Sequence, residues 1–325
     1  MQLDSCTRPS ANLAPDASPT AHAARAAAGR RPDALPRRAA LVVNARSRKG
    51  RDLFAEARTR LEAAGIELIA AHAVRDPRQL QPVIRRVLAD DPPMVIVGGG
   101  DGTLSGVVDD FVAHHAVFAL LPLGTANSFA RTLGIPLDLD GAVAVIANGR
   151  RRRIDLGMID GDYFANAAAI GMSPLIAQTV PHGLKRWLGR IGYMAWAALV
   201  FTRFRPFRLS VDGETIDAVE VRIANGRFHG GTELIEDAAV DSGEIVVQAV
   251  IGDASHRLLT SWAASILKLS WRRRTVREFH GRALRIETDP PLPISIDGEV
   301  LARTPVMARV APAVIEVAAP ADGPG

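Results

Sequence analysis

Met94-Val95-Ile96-Val97-Gly98-Gly99-Gly100-Asp101-Gly102-Thr103-Leu104 decides how the chain is read. An apolar, β-branched run breaks into three glycines and a carboxylate. It then enters residues 104–111, which read as a helix start. Strand, glycine turn and helix together suit a polyanion, because backbone amides can approach phosphates where no side chain blocks them. Bare phosphate would repel Asp101, so its presence points to a bridging Mg²⁺ or a proton-accepting role. The alternative is a plain strand-to-helix turn whose glycines only supply positive φ angles. The spacing is neither GxGxxG nor GxxxxGK[ST].

Upstream, residues 39–43 form a short apolar strand and Asn44-Ala45-Arg46-Ser47-Arg48-Lys49-Gly50 a polar basic loop. An amphipathic helix over 53–63 follows, stopped by Gly65, and then a second strand over 66–72. Asp76-Pro77 has the chemistry of an N-cap and first helical residue, opening a helix toward Ala89. Strand alternating with helix is the pattern of a mostly parallel, doubly wound sheet, whose ligands sit at the carboxyl ends of the strands. Asn44, the 98–103 turn and residues 123–127 all fall there.

Beyond Ile154 the pattern changes. Runs at 154–159, 163–168, 207–211, 219–224, 244–251, 283–288 and 292–296 are short and strand-like, with hairpin signals at Asp160-Gly161 and Asp212-Gly213. Helical patches at 185–202 and 256–269 interrupt what reads as an antiparallel β domain. The expected organisation is a disordered tail over 1–36 and a nucleotide-binding α/β domain over 37–153. A β-rich domain over 154–318, its last strand able to return to the first domain, and a tail over 319–325 complete it.

The 325 residues, 48% hydrophobic and 23% charged, suffice for two domains. A formal net charge of +4 permits anionic partners without requiring them. The single cysteine, Cys6, excludes an internal disulfide framework and a cysteine-rich zinc site, and is consistent with a reducing compartment. No apolar run reaches the roughly 18 residues needed to span a bilayer. Asp4, Asp16 and Asp33 argue against a transit peptide.

Two further turns carry chemistry. In Leu121-Pro122-Leu123-Gly124-Thr125-Ala126-Asn127-Ser128-Phe129-Ala130-Arg131, a strand ends in small residues. Thr125 and Asn127 there either face a ligand or simply cap the next helix. Ile294-Ser295-Ile296-Asp297-Gly298-Glu299 sets two carboxylates about a tight turn. Such a pair can hold Mg²⁺ and accept a hydroxyl proton during phosphoryl transfer. Val211-Asp212-Gly213-Glu214 repeats the tripeptide, so DGE alone does not separate a site from a hairpin. The arginine runs 150–153 and 272–274 read as solvated faces or as contacts to an anionic bilayer, worth about 1 kcal/mol per charge there. Residues 184–207 have the Trp, Tyr and basic composition of a membrane interface. Nucleic acid is not an expected partner, because the aromatics are not interleaved with the basic runs. His114, His115, His182, His229, His256 and His280 show no metal-ligand spacing and receive no role.

The 99–103 and 122–131 turns are joined by Asn166 with Gly171, Gly192-Tyr193, Asn225-Gly226-Arg227, Gly230-Gly231, Asp237-Ala238 and Asp297-Gly298-Glu299. In this order the chain resembles the diacylglycerol kinase catalytic-domain family, the soluble bacterial lipid kinases and their sphingosine kinase relatives. The resemblance implies an α/β domain with a doubly wound parallel sheet plus a C-terminal antiparallel β-sandwich, with a cleft between them. It also implies ATP as phosphoryl donor, Mg²⁺ as cofactor, and a lipid acceptor such as diacylglycerol. Transfer would occur in the cytoplasm, at the inner face of the membrane. Carried over by position, Asn44, Gly99, Gly100, Asp101, Gly102 and Thr103 line the ATP phosphates, with Gly124, Thr125 and Asn127 close by. Asp297, Glu299 and Asp101 are the catalytic candidates, and Asp101 and Asp297 the catalytic Mg²⁺ ligands.

Two departures from the family pattern stand out. Asn44-Ala45 replaces a frequent Asn-Pro, which mainly stiffens the turn. Ser242 stands where bacterial members place a structural-metal Asp, and Asp241 comes one residue early, which argues against that second metal. The rival readings are an NAD kinase-like or sugar kinase, and a nucleotide- or lipid-binding protein without catalysis. A homodimer is compatible with all of them.

Overall fold

The computed structural model describes residues 33–46, 48–171, 174, 204–252, 275–297 and 299–322. The expected helical patches at 185–202 and 256–269, most of the interfacial segment, Gly192-Tyr193 and the 272–274 arginines lie outside the described residues.

The strands β1 (Arg38–Asn44), β2 (Glu67–Val74), β3 (Met94–Gly99) and β4 (Val117–Pro122) form a parallel array in the order β2-β1-β3-β4. Every residue of β3 and β4 is buried, as a parallel sheet covered on both faces demands. The helices Arg48–Ala63, Leu80–Ala89 and Leu139–Asn148 supply the covering. As expected, Asp76 caps the turn that begins at Pro77, accepting from Arg78 N at 3.0 Å. Phe111 and Phe118 meet edge-to-face, centroids 4.8 Å apart, in this half of the core.

The rest is mostly antiparallel. It comprises β5 (Arg150–Ile159), β6 (Asp162–Phe164), β7 (Ala167–Gly171), β8 (Phe207–Val211), β9 (Glu214–Ala224), β10 (Phe228–His229), β11 (Thr232–Glu233), β12 (Ile245–Ile251) and β13 (Val276–Gly281). β14 (Ala283–Asp289), β15 (Pro293–Ile296), β16 (Glu299–Arg303) and β17 (Val306–Ala319) complete it. The main path runs β16-β15-β7-β9-β8-β14-β17-β4 and so passes without a break into the parallel strands. β17 is the join: it pairs antiparallel with β5 and β14, while Val317 pairs parallel with Phe118 of β4. The architecture is therefore an α/β parallel-sheet half and an antiparallel β-sandwich half, the latter with its own core around Phe164, Phe207, Ile223, Val247 and Ile286.

Several local expectations change. Residues 104–111 are not one helix. Gly106 closes Asp101–Ser105, and a second short helix, Val108–Val112, follows. The strand expected at 163–168 is interrupted between β6 and β7, where the Ala165 and Ala167 amides turn to a side chain instead. The 150–153 run is not merely a solvated face but the start of β5. There Arg151 and Arg153 pair with Glu316, and Arg152 pairs with Asp241 at 2.6 Å. β10, β11, β13 and β16 lie outside the expected runs, whereas β17 is a last strand that returns to the first half, although no run was expected at its residues. β17 is rich in alanine, contains Pro312 and shifts register between Ala311 and Ile315, with Ala313 at φ 52°, all of which mask a strand pattern.

On β9, Glu220 and Arg222 share a face two residues apart and pair at 2.9 Å, each side chain 1% exposed. Arg222 also donates to Gln248 Oε1, and Gln248 donates to Glu278 Oε1 and to the Leu234 carbonyl. Burial drives the Glu220 pKa up and Arg222 opposes that rise. Removing one partner strands the other in the core, so Arg222→Met is expected to cost about 3–5 kcal/mol in urea unfolding. Arg222→Met combined with Glu220→Leu should recover most of the loss. A double variant no more stable than the single one would contradict this account.

Candidate active site

The glycine turn ends β3, and its carboxylate reaches across to the second turn. Asp101 Oδ2 accepts from Ser128 N at 3.0 Å and Oδ1 from Phe129 N at 3.2 Å. The helix Ser128–Thr132 is thus capped not by its own Asn127 but by a residue 27 positions earlier. Asn127 holds the turn itself. In the left-handed conformation at φ 49°, it accepts from Gly124 N and donates to the carbonyls of Pro122 and Gly124. The two turns touch at backbone: a Cβ on Gly124 would lie 2.5 Å from Gly100 Cα, and one on Gly100 would lie 2.9 Å from Gly124 Cα. Both positions require glycine.

Asn44 ends β1 and donates to Thr103 Oγ1 at 3.1 Å, tying the first loop to the glycine turn. Asn44, Gly99, Gly100 and Thr103 line one cavity of about 390 Å³. Arg46, Gly50, Leu53 and Leu123 complete its wall, residues that sequence reasoning did not single out. Gly102 is exposed with open space around its Cα, and Thr125 is exposed, so neither lines that cavity.

The antiparallel half brings two groups to this place. The first is Asp297. Asp160-Gly161 and Asp212-Gly213 are two-residue hairpin turns with left-handed aspartates, and Asp297, at φ 44° between the paired Ile296 and Glu299, turns in the same way. What differs is the carboxylate's company. Asp212 Oδ1 accepts from Arg285 N within the sheet, whereas Asp297 accepts from Ala165 N at 3.2 Å and Ala167 N at 3.3 Å beside the glycine turn. Burial raises the Asp297 pKa to about 6; the amides of Ala165, Ala167 and Asn166 pull it down, and Asp101 pushes it further up. Glu299 is exposed at the start of β16, and its side chain makes no hydrogen bond or ion pair among the described residues.

The second group is the hairpin of β10 and β11, whose turn is Gly230 and Gly231, both at positive φ. Gly231 N donates to Ser128 Oγ at 3.0 Å, docking the hairpin on the second turn. His229 comes with it and feels Asp101, but burial first and Arg222 second lower its pKa to about 4, so it is neutral at physiological pH. The only sequence signal for His229 is the Gly-Gly turn that follows it. At Asp241-Ser242, where the sequence argues against a second metal, Asp241 receives Arg152, and Ser242 Oγ closes a local turn with the Ala239 and Glu244 carbonyls.

A glycine turn that lines a cavity, with a carboxylate of raised pKa close to its Asp101, is the arrangement of a phosphotransferase of the α/β plus β-sandwich type. Residues 38–159 match the diacylglycerol kinase catalytic domain, and 166–319 match the YegS C-terminal NAD kinase beta sandwich-like domain. The chain is 30% identical over 223 residues to the Probable lipid kinase YegS-like of Enterobacter sp. (strain 638), covering 66% of this chain and 74% of that one. It is 27% identical over 280 residues to the Diacylglycerol kinase of Staphylococcus carnosus (strain TM300), covering 82% and 89%. A crystal structure of a diacylglycerol kinase from Bacillus anthracis str. Sterne shares the fold at a TM-score of 0.66 and 20% identity, over 87% of this chain and 97% of that one. The chain belongs to the diacylglycerol kinase catalytic-domain family, and it is a kinase.

Because Asp101 caps a helix, Asp101→Ala should lower the stability of the ligand-free protein by about 0.5–2 kcal/mol. Thermal unfolding without nucleotide or metal reads this directly; an unchanged midpoint would remove the capping role.

Proposed function

We propose that the protein transfers the γ-phosphate of ATP to a hydroxyl of a membrane lipid such as diacylglycerol, with Asp297 as the general base. The observation that carries this reading is the Asp297 carboxylate, half-buried, held by two amides beside the glycine turn, with its pKa raised to about 6. It is ionised at neutral pH yet more basic than an ordinary aspartate, which suits it to take a hydroxyl proton. As the acceptor oxygen bonds to the γ-phosphorus, that proton passes to Asp297, the bond to the bridging oxygen breaks and ADP departs. Gly99, Gly100, Thr103 and Arg46 line the cavity that would take the phosphates, which keeps charge stabilisation fixed before reaction.

The donors also suit a hard divalent cation. The Asp101 and Asp297 carboxylates have no ion-pair partner among the described residues, each oxygen keeps a lone pair, and Asn166 Oδ1 is buried without a hydrogen bond. When bound, Mg²⁺ would neutralise charge on the transferring phosphate. Asp101 and Asp297 would hold it. No helix among the described residues is long and apolar enough to cross a membrane. The reading takes the lipid at a bilayer surface, in the cytoplasm at the inner face, because the acceptor is a membrane lipid and the donor is ATP.

Incubation with γ-labelled ATP and Mg²⁺ against micellar hydroxylated lipids, NAD and sugar phosphates tests the acceptor. Label is expected in a lipid; label in NAD or a sugar alone would overturn the reading. Asp297→Asn should lower kcat about 10²–10⁴-fold. In the wild type, kcat should fall as pH drops below about 6, because the protonated Asp297 cannot accept a proton; bound Mg²⁺ favours the carboxylate and moves the fall to lower pH. A flat profile between pH 5 and 8 with unimpaired Asp297→Asn would remove Asp297 from catalysis.

A further inference from the structure

A second cavity, of about 490 Å³, shares no lining residue with the glycine-turn cavity. It opens at the other end of the Ser128–Thr132 helix, and its wall includes Arg131, Thr132, Arg152, Arg227, Glu233 and Asp241. Three guanidiniums meet there. Arg131 and Arg227 each use Nε on a backbone carbonyl, of Ala126 at 3.0 Å and of Ala238 at 3.3 Å. Neither has a carboxylate partner among the described residues, so the forks are oriented but their terminal nitrogens are unspent. Arg152 holds Asp241 through Nη2 at 2.6 Å, which neutralises that carboxylate, while its Nη1 is buried without an acceptor. Thr132, only 8% exposed, also has a hydroxyl without a partner. Among the described residues Glu233 is the one other acidic side chain on the wall, so cationic donors are in excess there.

The two buried donors, Arg152 Nη1 and Thr132 Oγ1, cost about 1–3 kcal/mol each unless something accepts from them, while the exposed Arg131 and Arg227 forks add charge at the mouth. Three planar forks and a hydroxyl offer more donors than one carboxylate can accept, whereas a phosphate monoester has three terminal oxygens and a double charge. We propose that this cavity is a second anion site that binds a phosphate monoester, separate from the glycine turn. A soluble phosphate ester and a lipid phosphate headgroup present this same chemistry. The site does not depend on the nucleotide or the acceptor of the transfer reaction.

Equilibrium dialysis of the full chain with radiolabelled inorganic phosphate tests it, beside sedimentation with phosphatidylcholine vesicles that contain or lack phosphatidate. One phosphate per chain is expected. Binding should weaken at least about tenfold in Arg131→Gln and in Arg227→Gln, the loss of one charge-assisted contact, and stay unchanged in Asn44→Ala on the glycine-turn cavity. Both arginines are exposed, and an unchanged thermal midpoint separates lost binding from lost folding. Binding only to phosphatidate vesicles, lost in the same two variants, would also support the site and identify the lipid source. Phosphate binding lost in Asn44→Ala but kept in both arginine variants would overturn the proposal, as would no binding in either arm or equal binding to vesicles without phosphatidate.

Discussion

The site rests on one carboxylate satisfying two amides. Asp101 closes the N-terminus of the Ser128–Thr132 helix, and this fixes the distance between two turns that come from different strands. Once that bond is made, the Gly100 and Gly124 backbones must lie in contact, which admits no side chain at either. The Asn44–Thr103 bond adds the end of β1 to the same assembly. Three strand ends are therefore locked before any ligand arrives. Their alignment is the preorganisation that a phosphate-binding surface needs.

The antiparallel half then supplies what the parallel half lacks. Asp297 and His229 reach the Asp101 side from β15 and β10, and both have pKa values displaced chiefly by burial. Burial keeps Asp297 basic, and the neighbouring Asp101 carboxylate adds a smaller push in the same direction, with no ion-pair partner for either among the described residues. Had an arginine stood there, the charge would be quenched and the carboxylate would be an ordinary weak base. Glu220 shows the contrast: it is buried as well, but Arg222 answers it.

Much of this was legible in the residues. The alternation of strand and helix through residue 122, the glycine turn and the hairpin signals follow from local pattern and turn chemistry, and they placed Asn44, Gly99, Gly100 and Thr103 on one cavity. What remained hidden depends on contacts distant in sequence. Asn127 looks like the cap of its helix, yet Asp101 takes that role from 27 residues away. The three Asp-Gly turns are alike as text and differ only in which amides face the carboxylate. The 150–153 arginines read as a surface because Glu316 and Asp241, which answer them, lie far along the chain. A returning last strand was expected, but the bounds of β17 were not legible, because alanines and Pro312 weaken a strand pattern that register with β5 restores.

β17 also bears on how the chain comes together. It is the strand that covers β4, so until residues 306–319 have formed, the parallel array ends in an open edge of buried, apolar Phe118, Ala119 and Leu120. An exposed apolar edge invites pairing with other chains. The earlier strands can collapse as they emerge from the ribosome, but they complete their sheet only when its distant partner is available. The nascent protein must carry an unsealed flank through most of its synthesis.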